Sequence, residues 1–590
     1  MRLPIVKSNN KYRRKMVLFG GINRTQSFTD GELYDCDGIS HSSFPSLTQA
    51  FGSTVDFKCN APSAAAFYDK KCIAAEDALY VDGKRVGELS PGKKSIAYVG
   101  YSVVVFPDKV YYNTVTQKFA SLENECILDE METTFTASTI SVPKGTYKKV
   151  SIFEETRHRS DEKVFKYASA EVIEGKITFS GISLVKASEL KDGDVFSESS
   201  AESFYRTVNK SELGEDGKIT ILSEKTTVEN LSDKLFENFR EGDVVQIEGS
   251  KVSSNNKSLK IKSVSGNTLT FDDGVFSSYA ETSPIIIKRK IPDLTCICEY
   301  ENRLWGCEGN TIYASALGDP LNFFKYDNLS TDSYAVQSNT MGDFTAIADY
   351  SGYCLVFKED KCYKLFGNKP SNFKLTECVI PGILKGEKDS VVNLNGILFY
   401  KGNGGIFAFG GGVAQKISDR LGNTELKNCS AGGEGTLYYI SGEGSRGREE
   451  FVYDTERNLW SKSGEKDVAG YFSRGEELYR LKSYGVEKLT KEVSSDKEWY
   501  AEFCPFDENY HKTKNYSKLY VAVTLFDNSC IKAEMKADNN EWKTIFIRYG
   551  TDKEHFTVPC VLKGCNEARL RLSGKGKCIV QSIVREFSVN

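Results

Sequence analysis

The feature that most constrains this chain is a recurrence. A short strand marked by a leucine returns after a polar turn at Leu304, Leu355, Leu398, Leu437 and Leu478, at intervals of 51, 43, 39 and 41 residues. Each marked strand is followed by a Gly, Asn or Asp turn and a second strand with an aromatic. Examples are Thr311-Ile312-Tyr313, Lys361-Cys362-Tyr363-Lys364-Leu365, Gly405-Ile406-Phe407-Ala408-Phe409 and Phe451-Val452-Tyr453. Alternating residues around such turns read as hairpins. A period of about 40 to 50 residues with several strands per unit is the mark of propeller blades. One small sheet cannot hide both of its faces, and stacking sheets about an axis hides them while leaving only short edges. Two further units lie near the N-terminus. One runs from Ala65-Ala66-Phe67-Tyr68 through Ala78-Leu79-Tyr80-Val81 to Val86, and the other holds Val103-Val104-Val105-Phe106 and Val110-Tyr111-Tyr112. Two and five give seven blades, with six or eight left open. Closing the ring would bring residues near 65–122 against residues near 490.

The stretches outside the recurrence are also β in pattern. Residues 125–290 are richer in Ser, Lys and Glu. Gly242-Asp243-Val244-Val245-Gln246-Ile247 alternates there, and 259–264 and 268–271 follow as strands around a Ser265-Gly266-Asn267 turn. This reads as a small barrel or sandwich. One short helix is expected over Ser232 to Glu241, with Leu235, Phe236 and Phe239 on one face and Ser232 or Asp233 as N-cap. Lys288-Arg289-Lys290 leads back to the propeller. In the last 95 or so residues, 519–525, 531–535, 543–547, 568–572 and 578–583 are five strands at sandwich-like spacing. No helix–strand alternation occurs, which excludes an α/β nucleotide fold. The expected architecture is all-β: a β-propeller of about seven blades, an inserted small β-barrel or sandwich domain, and a C-terminal β-sandwich. The boundaries are 1–60 for an extended N-terminal arm, 61–124 for the first blades, 125–290 for the insert, 291–494 for the remaining blades and 495–590 for the sandwich.

Composition agrees with strands and tight turns: 31 Tyr, 35 Phe and 49 Gly stand against 5 Met in 590 residues. A formal net charge of -4 carries no nucleic-acid signature for the chain as a whole. Met1 to Lys15 is polar and basic with no apolar stretch behind it, and no run reaches the roughly 18 apolar residues of a membrane helix. The chain is therefore expected to be made and to fold in a cytosol, with its sixteen cysteines reduced and mostly buried as small apolar residues. Cys296-Ile-Cys298 is the nearest approach to a metal pair, no second pair follows at zinc spacing, and His41, His158, His511 and His555 are scattered. No metal and no cofactor is expected.

Catalytic motifs are equally thin. Gly402 to Gly412 is Gly-rich, but it lacks the Lys-Ser/Thr of a P-loop and no helix follows, so a blade with two tight turns is the expectation. Asp507, Glu508 and Asp527 look like exposed loop acids; paired catalytic carboxylates would need a cleft. Asn209-Lys-Ser211 and Asn230-Leu-Ser232 match glycosylation acceptors by chance in a cytosolic chain. The basic arm of Lys7, Lys11, Arg13, Arg14 and Lys15, with Tyr12, is either a dock for a neighbouring subunit or DNA phosphates, or a solvated terminus. Trp305, Trp460, Trp499 and Trp542 sit in or beside strands, which favours core packing over glycan platforms.

Several of these stretches resemble a family of tail proteins encoded by phages and prophages of Gram-positive gut bacteria. The resemblance runs from Phe19-Gly20-Gly21-Ile22-Asn23-Arg24 to Gly31-Glu32-Leu33-Tyr34-Asp35 and Phe44-Pro45-Ser46-Leu47, then through Gly242-Asp243-Val244-Val245 and residues 266–271. Its specific centre is Pro292-Asp293-Leu294 to residues 301–307 and 312–320, and it continues through 330–336, 357–360 and 367–373. In layout the chain is similar to the nozzle or stabilisation proteins of short-tailed phages. The resemblance implies a non-enzymatic structural component of a virion tail, made in the host bacterial cytoplasm. It would assemble as a cyclic homo-oligomer with other tail and neck proteins around the DNA exit channel, passing genomic DNA without sequence-specific binding. A mildly acidic chain suits such a channel, because bound phosphates would retain the DNA. Two readings compete: a receptor- or carbohydrate-binding tail protein, and a propeller enzyme acting on polysaccharide, which would need two facing acids in a groove.

Overall fold

A computed structural model describes residues 10–128, 236–266, 268–271, 276, 279–493, 496–550 and 553–589, and the backbone of eight short strands between 129 and 235. The chain is all-β, with 57% of it in strands. Helix among the described residues is confined to single 3-10 turns such as Ser253–Asn255 and Lys388–Ser390. The chain divides into two compact units, one of Met1–Ala120, Asp293–Ala314 and Ala335–Asn590, the other of Ser121–Pro292 and Ser315–Tyr334.

Within the first unit the recurrence becomes seven four-stranded sheets. Six are formed by strands consecutive in the chain, over 62–88, 95–121, 296–337, 346–378, 392–416 and 427–462. The seventh takes three strands from 468–489 and its fourth, Ser53–Lys58, from the other end of the sequence. The marked leucines all fall on the second strand of their sheet: Arg303–Glu308, Tyr353–Phe357, Ile397–Gly402, Leu437–Gly444 and Glu477–Lys482.

Two-residue turns explain the tight hairpins. At Ser351-Gly352 and Asn395-Gly396 both residues have positive φ, 45° and 83°, then 53° and 79°, which matches the twist of the strands they join. A tyrosine at the end of a first strand then reaches the next sheet: the Tyr300 hydroxyl donates to the Gly352 carbonyl at 2.7 Å, and that of Tyr350 to Gly396 at 3.0 Å.

First strands are mutual neighbours. Pro62–Phe67 lies against Ser95–Val99, which lies against Cys296–Tyr300, which lies against Ala346–Tyr350. Val392–Leu394 lies against Lys427–Glu434, which lies against Val468–Arg474, which returns to Pro62–Phe67. The sheets of Ala346–Tyr350 and Val392–Leu394 meet through Tyr350 and Phe409, and through Phe357 and Tyr400, with ring centroids 5.3 Å apart in both pairs. Apolar layers fill the spaces between sheets, for example Leu79, Val103 and Val105, or Ile73, Phe472 and Leu481.

The C-terminal strands form two more sheets over one core. One runs Leu33–Asp37, Glu498–Phe503, Ala568–Lys575, Ser529–Ala537, Lys543–Gly550; the other runs Ile39–Ser40, Leu47–Gln49, Cys578–Val589, Lys514–Leu525, Lys553–Cys565. Ser529–Ala537 alternates buried and half-buried along its whole length, as one face on a core requires. The N-terminal segment is therefore paired rather than free. Lys11–Met16 lies antiparallel along Cys578–Val589, and Leu33–Asp37 along Glu498–Phe503.

In the second unit an eight-stranded sheet includes Val244–Glu248, Ser258–Ser265 and Thr268–Phe271. Val245 and Ile247 are buried on alternate positions, beside Phe236, Phe239, Leu269 and Ile285. The helix expected over 232–241 falls partly outside the described residues; the described part, from Phe236, is turn and coil. Phe239 N–H donates to the Phe236 carbonyl at 3.0 Å, so a single turn places both rings in the core. Arg289, of the basic triplet, is buried, donates to the Leu122 carbonyl at 2.9 Å and pairs with Asp243.

Candidate functional site

The first strands of six of the seven sheets converge on one small cavity of about 180 Å³. Ala64, Ile96, Ile297, Ile347, Ala431 and Gly470 contribute from six sheets, and the turn Lys388–Ser390 contributes before the seventh. Most of this lining is apolar or small. Its charged side chains are hydrogen-bonded or ion-paired. Lys94 pairs with Asp108 at 2.5 Å and donates to Ser90 Oγ at 2.8 Å. Lys388 donates to Ser95 Oγ at 2.7 Å and to the Thr295 carbonyl at 2.6 Å, and Asp389 pairs with Lys93 at 2.5 Å.

Two hollows of about 480 and 650 Å³ share Lys93 and Thr295 with each other, and Lys388 with this cavity. Their lysines are matched too. Lys109 pairs with Asp293 at 2.6 Å, and buried Lys358 donates to Asn310 Oδ1 at 2.5 Å and to the Thr340 carbonyl at 2.8 Å. Burial lowers the Lys358 ammonium below its ordinary value.

The nearest thing to a facing acid pair lies elsewhere. Glu299 and Asp349 sit on neighbouring first strands close to Glu301. Burial, and then the neighbouring acids, raise both carboxyls. Their side chains reach solvent while their neighbours shield them in part, and they line none of the hollows just described. Among the described residues no cluster of three His, Cys, Asp or Glu has the geometry to hold a metal ion.

A hollow of about 720 Å³ lies between Leu33–Asp37, the loop 421–425 and the hairpin of Leu437–Gly444 with Gly447–Asp454. Asp35 anchors it. That carboxylate accepts from Arg24 at 2.6 Å, Lys462 at 2.9 Å, Tyr500 at 2.9 Å and Arg446 at 3.3 Å. Burial alone would raise Asp35, but Lys462 and then Arg24 win and hold it at about 2. The rim is polar, with Asn423, Glu425, Lys427 and Glu443, and Tyr34 is 42% exposed there.

Residues singled out from the sequence are placed as follows. Gly402 and Gly405 bound a tight turn between Ile397–Gly402 and Gly405–Phe409, and Gly404 needs its φ of 90° there. Asp507 and Asp527 are exposed. Glu508 is a correction to the expectation of an exposed acid: it is buried, receiving Arg585 Nε at 2.8 Å and Nη2 at 3.2 Å.

Trp305 and Trp460 are fully buried, with indole N–H groups donating to the Tyr300 and Ile417 carbonyls. Trp499 is buried as well, whereas Trp542 is half-buried beneath Arg571 and Lys536. Lys11 and Arg13 pair with Glu586, Arg14 pairs with Asp30, and Tyr12 packs on Phe587 and Tyr510. His41 is buried, and His511 and His555 are exposed. Lys7, His158, Asn209, Ser211, Asn230 and Ser232 lie outside the described residues. All sixteen cysteines are free thiols.

Sequence reasoning passed over Asp35 and the buried pair of Arg480 with Glu450. Arg480 Nε and Nη2 meet the two Glu450 oxygens at 2.8 and 2.6 Å, and the Tyr471 hydroxyl donates to Glu450 at 2.7 Å. The available signal was a charge in the middle of an apolar strand, as in Leu478-Tyr479-Arg480-Leu481.

No family model and no curated protein matches the chain. Solved structures match it weakly. PorZ, a bacterial surface component of the type-IX secretion system of Porphyromonas gingivalis, is 10% identical with a TM-score of 0.24, covering 87% of this chain and 80% of that one. The extracellular domain of a hybrid two-component system protein of B. thetaiotaomicron is 10% identical with a TM-score of 0.19, covering 94% and 98%. The endosialidase of phage phi92 is 10% identical with a TM-score of 0.19, covering 83% and 71%.

Proposed function

We propose that the seven four-stranded sheets are the blades of a propeller, and that the chain is a non-enzymatic structural component of a bacteriophage tail. In this reading residues 61–124 and 291–494 are the wheel, 125–290 an inserted β domain, and 495–590 a sandwich completed by strands from 1–60. The chain is made in the host cytoplasm and works in the virion. There it forms a cyclic homo-oligomer of nozzle or hub type around the DNA exit channel, in contact with other tail and neck proteins.

The observation that carries the scaffold role is the centre of the sheets. It is a cavity of about 180 Å³, below the ~300–1,000 Å³ of ligand pockets, whose Lys94 and Asp389 are ion-paired with residues outside it and whose Lys388 donates to a hydroxyl and a carbonyl. A reaction centre needs unsatisfied, convergent groups, and this centre spends its charges on holding strands together. The cyclic order of first-strand neighbours and the closing strand Ser53–Lys58 support the wheel. The resemblance centred on residues 292–320 supports the tail assignment, and a net charge of -4 suits a channel through which DNA slides.

Electron micrographs of the purified protein and of intact particles test the proposal. Rings of one defined symmetry are expected, with the same density in the particle tail. A protein that stays monomeric at every concentration and is missing from particles overturns it. A receptor- or carbohydrate-binding role is the second reading, favoured by the 720 Å³ hollow with Tyr34 half out of it. Aromatic faces over polar rims suit sugars, so Tyr34→Ala abolishes glycan binding if that reading holds.

A further inference from the structure

We propose that Cys378 and Cys362 form a modification site, a thiol pair that closes to a disulfide when the folded chain meets a small disulfide oxidant. The two residues stand directly opposite each other on antiparallel neighbours, Cys362–Phe366 and Lys374–Cys378. Facing residues on such strands hold their Cβ atoms about 4.5–5.5 Å apart, and a disulfide needs about 3.5–4.5 Å. The gap is on the order of 1 Å. Lys374–Cys378 is the outer strand of its sheet, so an edge moves to close it rather than a core strand.

Access and chemistry point the same way. Cys378 is partly exposed and Cys362 is buried behind it, the arrangement of an attacking thiol and a resolving one. The neighbouring Cys362 thiol lowers Cys378 to about 7 against the effect of burial, with Lys364 adding to it. Near neutral pH a large fraction of Cys378 is thiolate, the nucleophilic form.

The Cys378 thiolate attacks one sulfur of the oxidant; the oxidant's S–S bond breaks and one small thiolate leaves. That thiolate takes the Cys362 proton. Cys362 then attacks the Cys378 sulfur, the mixed disulfide breaks, and the second small thiolate leaves and takes from solvent the proton that Cys378 had released. Two protein thiols are oxidised and one small disulfide is reduced to two thiols. A second pair gives the contrast. Cys296 stands opposite Cys307 in the same way, but their exposures of 3% and 0% keep an oxidant from either sulfur.

The test is incubation of the folded, full-length chain with oxidised glutathione near neutral pH, alkylation, and peptide mapping without reduction. The expected result is one linked pair of peptides carrying Cys362 and Cys378, with Cys296 and Cys307 still alkylatable once the chain is unfolded. Cys362→Ser accumulates a stable glutathione adduct on Cys378, and Cys378→Ser leaves Cys362 reduced. The proposal is overturned by an unmodified Cys378, by a lasting glutathione adduct in the wild-type chain, or by equally fast loss of Cys296 and Cys307. The wild-type measurement decides the matter even if a variant does not fold.

Discussion

At Asp35 and His41 two buried ionisable side chains lie near each other in sequence and titrate in different acid ranges. Asp35 is surrounded by cations and a hydroxyl, so its ionised form is favoured down to about 2. For His41 the Gly20 carbonyl and the Asp454 charge favour the protonated ring but do not outweigh burial. Its ring is buried, with Nε2 3.5 Å from the Gly20 carbonyl, and burial lowers it from 6.5 to about 4. The unfolded chain takes up a proton below 6.5 that the folded chain refuses until about 4. Stability from this group is therefore full above 6.5 and falls as pH drops through that window, by on the order of 3 kcal/mol. The Asp35 contribution is lost lower, between 3.8 and about 2. His41→Gln is expected to narrow the gap between urea midpoints measured near pH 7 and near pH 4.5, leaving the steeper loss below pH 4 in place. Neither role was legible in the sequence, because an isolated Asp or His announces nothing about partners such as Arg446, 411 residues from Asp35, or the Gly20 carbonyl, 21 residues from His41.

The closing strand shows what an element owes to its partner. Ser53–Lys58 is mostly exposed, with only Ser53 and Phe57 half-buried, and no local signal marks it as part of a sheet whose other strands begin at Val468. Its place depends on close backbone approach at Gly485, whose φ is 150°. A Cβ there would stand 2.3 Å from the Phe57 carbonyl oxygen. Gly485→Ala is expected to cost about 1–3 kcal/mol, read as a lower urea midpoint with faster amide exchange in 53–58. The marked strands were legible for the opposite reason. Each lies inside its own sheet with both neighbours nearby in sequence, so a leucine at 0–1% exposure in four of the five recurs at near-constant spacing. The helix reading at 232–241 failed where it can be checked because Phe236 and Phe239, three apart, are brought together as well by one turn as by a helix.

On the scale of the whole molecule, the two ends of the chain meet in one sheet, with Lys11 opposite Ser588 and Met16 opposite Ile583. Glu586 accepts from Arg13 at 3.0 Å, Tyr520 at 3.0 Å and Ser517 at 2.9 Å. Removing the first sixteen residues would bare one edge of Cys578–Val589 and part of the Glu586 network. The expected outcome is a thermal midpoint lower by on the order of 5 °C, with self-association visible in light scattering, since an unpaired long edge is a template for another chain.

By itself the sequence determined the all-β class, the repeating hairpins and the second-strand leucines, because turn chemistry and burial period act over a few residues. Only the tertiary structure decided that Ser53–Lys58 completes the last sheet, that the N-terminal segment belongs to the C-terminal sheets, and that Asp35, Glu450 and Glu508 are held inside by cations. Those outcomes depend on strands meeting across hundreds of residues. Backbone edges and buried charges are satisfied by whichever partner the folded chain brings near, and no local pattern records which one that is.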